Sequence, residues 1–122
     1  MSANGNDGDD IDNTKFLYAF TQKVLNSDGS IRWVGITDQN GIIINERDRE
    51  GLNPLLTIEE NHDFAVNTIT RHKTRVKFEP KMGELTYTFR RYTSIAILSL
   101  AITFKIICII TVTTVKILSM YH

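Results

Sequence analysis

The sequence predicts an α+β domain: an antiparallel five-stranded sheet with helices packed on it, in the order α-β-β-α-β-β-β. Three observations carry this. Residues 12–26 and 57–72 repeat apolar side chains at three-to-four spacing and open on good capping residues, the pattern of amphipathic helices. Ile31–Thr37 is β-branched and aromatic, and Asn40-Gly41 then joins it to a second apolar run, as in a hairpin. Two nearly unbroken runs, residues 95–102 and 106–112, are dominated by Ile, Val and Thr, which favour strands.

Residues 1–11 are rich in Asn, Gly, Asp and Ser, with almost nothing to bury, and are expected to form a disordered acidic tail. Residues 12–122 are expected to form a single α/β domain, long enough to bury about two thirds of its unfolded surface. The first helix starts at Asp12 or Asn13, carries Phe16, Leu17, Phe20, Val24 and Leu25, and stops at Asn26-Ser27-Asp28-Gly29. Residues 31–37 and 42–45 form the hairpin. The charged stretch 46–54, with Gly51 and Pro54, reads as a connection. Thr57 and Glu60 make a capping box for a second helix to about His72, with an inward stripe of Ile58, His62, Ala65 and Ile69.

Residues 73–78 alternate basic side chains with Thr, Val and Phe and read as a strand with a basic solvent face. Residues 79–83 turn the chain. Leu85, Tyr87 and Phe89 then alternate with Thr86, Thr88 and Arg90, giving a strand whose apolar side is expected to face the core. The runs 95–102 and 106–112 follow, with the turn at Thr103-Phe104-Lys105, and residues 115–122 suit the start of a final helix.

The stretch 95–112 also admits an alternative, a single-pass anchor over residues 94–117. Its Ile, Leu, Phe and Val residues contribute roughly −0.3 to −0.6 kcal/mol each to insertion, against about +2.5 to +3.5 for a central lysine. The sum is marginal. Lys105 at the midpoint suits a hairpin turn better than a span, and the preceding segments need central strands to close a sheet.

The predicted order resembles the roadblock and profilin-like group of small domains. A further resemblance is to a family of small uncharacterised archaeal proteins, common in thaumarchaea. It is carried by Ile31-Arg-Trp-Val-Gly-Ile36, Asn40-Gly41, Glu50-Gly-Leu-Asn-Pro-Leu-Leu56, Arg75-Val-Lys-Phe-Glu79, Gly83, Tyr87 and Lys105-Ile-Ile-Cys-Ile-Ile110. The archaeal family brings no known activity. Roadblock-like domains pair through the second helix and its neighbouring strand, so the resemblance implies a homodimer using Phe64 and residues 73–78, and, by fold analogy, a small GTPase as partner.

The residues themselves carry no catalytic, metal or nucleotide signature, and no cofactor is expected. One cysteine, Cys108, excludes an internal disulfide framework, and it sits in an Ile-rich run with no cation nearby, as an inert core thiol does. His62 and His72 stand about 15 Å apart along a helix, too far for a shared metal. The first ten residues lack a basic n-region and an apolar stretch, so a cytoplasmic address is expected.

The net charge of zero hides an asymmetry. Residues 1–70 hold 5 basic and 12 acidic side chains (5 − 12 = −7), and residues 71–122 hold 9 basic and 2 acidic (9 − 2 = +7). Arg71, Lys73, Arg75 and Lys77 form the best surface feature, which Arg90 and Arg91 could extend. Phe64 lies off the inward stripe, as a broadened core face or as part of an interface. An acidic protein or a second subunit fits this patch better than nucleic acid, which favours a basic domain with stacking aromatics. The expected function is a non-catalytic soluble binding or regulatory module, a homodimer that recruits a protein partner. The alternatives are the membrane anchor and a small-molecule sensor whose pocket would be apolar.

Overall fold

The computed structural model describes the backbone of residues 2–103 and 106–114, with side chains from Thr14 onward. Its elements are α1 (Ser2–Ser27), β1 (Ile31–Thr37), β2 (Ile43–Asp48), α2 (Ile58–Val76), a single turn α3 (Glu79–Met82), β3 (Tyr87–Arg91), β4 (Ile95–Thr103) and β5 (Ile106–Thr113). The five strands form one sheet in the order β2-β1-β5-β4-β3, and every neighbouring pair is antiparallel. This is the predicted α-β-β-α-β-β-β order with one short helical turn added.

The sheet is covered on both faces. Leu17 and Leu25 of α1 pack on Val34, Ile36, Cys108 and Ile110, while Ile69 of α2 packs on Trp33, Ile97, Ile107 and Ile109. Neighbours along β5 therefore go to opposite cores, and residues 107–111 are all buried. That is why the sequence shows an unbroken apolar run there rather than an alternation. Burial alone pushes the Cys108 thiol up to about 12, so it stays protonated within the α1-side core.

The hairpin turn forms as Asn40-Gly41 predicts. The Asp38 carboxylate accepts from the Asn40 and Ile42 amides at 2.8 and 3.0 Å, and Gly41 takes a φ of 83°. A Cβ at Gly41 would lie 2.7 Å from the Val66 backbone, so this turn also sets how closely the hairpin approaches α2.

Several expectations are corrected. Residues 73–78 do not form a strand: α2 continues through Val76, with Lys73 and Arg75 in its last turn, where positive charge favours the helix end. As a strand this segment would have been a sixth member of the sheet. The helix wins because His72 and Val76, one turn apart, continue its partly buried stripe. That stripe is also rotated from the expected one: Ala65, Thr68 and Ile69 are buried, whereas Ile58 and His62 are exposed.

β2 reaches Asp48, into the expected connection. The α1 backbone runs from Ser2, upstream of the start expected at Asp12 or Asn13. Extending a helix already nucleated against the sheet costs less than starting one.

The anchor alternative is also replaced. Residues 95–103 and 106–113 pair with each other as β4 and β5, from Ile95 opposite Thr113 to Thr103 opposite Ile106. Among the described residues no helix is long and apolar enough to cross a membrane. The expected turn at Phe104-Lys105 and the expected final helix at 115–122 lie outside the described residues.

Candidate interaction edge

β3 ends the sheet and, among the described residues, pairs only with β4. Its outer backbone edge is therefore available for a further strand. Its faces are reversed from expectation. Tyr87 and Phe89 are 59% and 60% exposed, whereas Thr88 and Arg90 are half-buried. The reason is positional: Tyr87 and Phe89 pair with Leu100 and Leu98, on the sheet face that bears α1. α1 itself lies over β1 and β2.

On the other face Arg90 reaches α2. Its guanidinium lies 5.2 Å from the centre of the Phe64 ring and donates to Thr68 Oγ1 at 3.1 Å. Thr68 in turn donates to the Phe64 carbonyl at 2.9 Å. Burial, reinforced by Arg71 and Arg75, pulls the Arg90 guanidinium below the usual arginine range, yet it stays charged.

The five residues singled out from the sequence therefore separate. Phe64 is half-buried against the Trp33 and Ile69 cluster, which makes it a broadening of the core capped by Arg90 rather than a bare surface ring. Arg71 and Arg75, one turn apart, lie near Arg90. Lys73 points to a different flank, beside a cavity, and Lys77 is the C-cap residue of α2. The strand face that would have aligned Lys73, Arg75 and Lys77 does not exist.

The sequence does not reveal that the aromatics of β3 are exposed. The alternation in the sequence marked two faces correctly, but nothing in it told which face a helix would cover.

α2 is also split along its length. Its first turn carries Glu59 and Glu60, with Asp63 following, and its last carries Lys73 and Arg75, with Arg71 just before. At 100° per residue, Asp63, Asn67 and Arg71 form one exposed row centred on Asn67.

No protein-family model matches the chain, and no curated protein matches it. Solved structures do. The chain is similar to the gliding protein MglB from Thermus thermophilus, with a TM-score of 0.67 at 7% identity, covering 83% of this chain and 78% of that one. An MglB with tetrameric arrangement matches with a TM-score of 0.70 at 7% identity, covering 88% and 79%. A roadblock/LC7 domain from Streptomyces avermitilis matches with a TM-score of 0.57 at 6% identity, covering 75% of each chain. The fold is the roadblock/LC7 fold. One edge strand of this sheet is β3, and the helix flanking it is the charge-split α2.

Proposed function

We propose that the chain is a non-catalytic regulatory module that pairs with a second copy through α2 and β3, and that the paired body recruits a protein partner inside the cell. Fold analogy makes a small GTPase the partner class to try first, and kinship with the archaeal family stays part of this reading on the residues quoted above. The supporting observation is the lengthwise charge split of α2 beside an edge strand whose outer side is unpaired among the described residues. A two-fold axis near Asn67 would run the two α2 helices antiparallel, setting Asp63 of each copy against Arg71 of the other. The two β3 edges could then continue the sheets into each other, with Tyr87 and Phe89 partly covered.

Size-exclusion chromatography with mass determination tests this. The wild type is expected to be a dimer. Arg71→Glu or Asp63→Lys alone should weaken it about tenfold, and the two together should restore most of the loss. A monomeric wild type at tens of micromolar would sink the pairing. Phe64→Asp is the poorer test, because Phe64 is half in the core and its loss would unfold the domain as readily as separate the copies.

A further inference from the structure

Under the last two turns of α2 the sheet presents a row of small side chains. Thr37, Ile107 and Ala101 face each other across β1, β5 and β4, and only Ile107 is large. α2 spans the Ile107 and Ala101 end of this row with Ile69, His72 and Val76 and leaves a cavity of about 510 Å³. Leu85 closes one side, held in place by its amide, which donates to the Glu79 carboxylate at 2.7 Å. The volume falls within the range of sites for small organic molecules.

Two features define the chemistry. The walls are mostly apolar, so burying a charge there costs solvation, and the charged side chains that line it are one lysine, Lys73, against two carboxylates, Glu79 and Glu84, which disfavours an anion in particular. Burial, opposed by Glu79 and aided by Arg75, lowers the affinity of His72 for a proton, which adds no positive charge at neutral pH. The other polar groups along its walls belong to Gln39, His72 and Thr103.

We propose that this cavity binds an uncharged, largely apolar molecule of two or three rings. The site is separate from the pairing surface, so the two readings fail independently.

The probe is N-phenyl-1-naphthylamine, an uncharged diarylamine that brightens in apolar surroundings, compared with its sulfonated analogue 8-anilino-1-naphthalenesulfonate. The neutral dye should bind one per chain in the micromolar range, and the sulfonate about tenfold more weakly or worse. Ala101→Phe, which fills the floor, should abolish binding while leaving the thermal midpoint unchanged or higher. If that variant does not fold, Val76→Trp makes the same test from the helix side. Unchanged binding in a folded cavity-filled variant overturns the proposal. So does loss of the signal in Tyr87→Ser/Phe89→Ser, which would place the dye on the β3 surface, and so does equal affinity for the sulfonate.

Discussion

Gly35→Ala should be among the most damaging single-methyl additions available to this chain, and it is readable through the chain's one tryptophan. Trp33 and Gly35 project from β1 on the same face, and the indole lies flat over the glycine. A Cβ built at Gly35 would fall 2.1, 2.5 and 2.8 Å from three ring carbons, where ordinary contact needs more than 3.4 Å. The ring must therefore move by more than an ångström. It has little room to do so, since it is 7% exposed and packed with Ile69, Ile97 and Ile109.

Losing a buried tryptophan outright costs about 3–5 kcal/mol, and displacement forfeits a large part of that. The long hydrogen bond from the indole N–H to Glu46 Oε1, 3.3 Å, adds about 0.5–1 kcal/mol if broken. Replacing Gly by Ala returns about 0.4–1 kcal/mol through the unfolded chain. The net is about 3 kcal/mol, or a fall of about 2 M in the urea midpoint for a typical m-value. Urea unfolding followed by tryptophan emission measures both effects, and native Gly35→Ala should emit to the red of wild type. An unchanged midpoint with unchanged native emission would refute the account of Trp33 as the keystone of the α2-side core.

Two further outcomes follow from named contacts. The Arg49 guanidinium donates to the carbonyls of Leu25, Asp28 and Ile31 at 2.6, 2.8 and 2.7 Å, tying the C-terminal end of α1 to the start of β1; Arg49→Met should cost about 2 kcal/mol in urea unfolding. His72 takes up a proton less readily folded than unfolded, chiefly because it is buried, so the folded state binds fewer protons. Its contribution to stability is complete above the unfolded pKa of about 6.5 and is lost as the pH falls toward the lower folded value. His72→Gln should therefore flatten the loss of stability between pH 7 and pH 5, and an unaltered slope would show that His72 is not its source.

The parts of the fold that were legible in the sequence are those where local chemistry and tertiary demand agree. Asn40-Gly41 flanked by β-branched runs can do little but form a hairpin, and Thr57 with Glu60 forms the predicted reciprocal cap, each side chain accepting from the other residue's backbone amide. Residues 73–78 misled because a basic–apolar alternation is also what a helix shows when its last turn gathers cations and its inward stripe ends on Val76. At β3 the two-residue period is plain in the sequence, and which side faces inward is not. Tyr87 and Phe89 look like core residues by type, yet they fall beyond the reach of α1, while Arg90 is drawn inward by the Phe64 ring and the Thr68 hydroxyl. The cavity is illegible for a related reason: Ile69, Ala101 and Ile107 sit on three separate elements, and only the packing of α2 across β4 and β5 makes them one lining.

The opposition of an acidic and a basic half, cut after Thr70 in the sequence, falls inside α2 once the chain is folded. A single helix therefore carries the boundary, with carboxylates at its positive end and cations at its negative end, and this arrangement stabilises the helix by itself without any partner. Two explanations then compete for one pattern, and ionic strength separates them. The effect of a helix dipole on an isolated domain is a matter of tenths of a kcal/mol and shifts its unfolding only slightly between 50 mM and 500 mM salt. Antiparallel pairing through Asp63 and Arg71 counts each opposed pair twice in a two-fold dimer, so its dissociation constant should rise severalfold over the same interval. A dimer indifferent to salt would have to be held by Tyr87, Phe89 and the β3 edges alone, leaving the charge split of α2 to the helix.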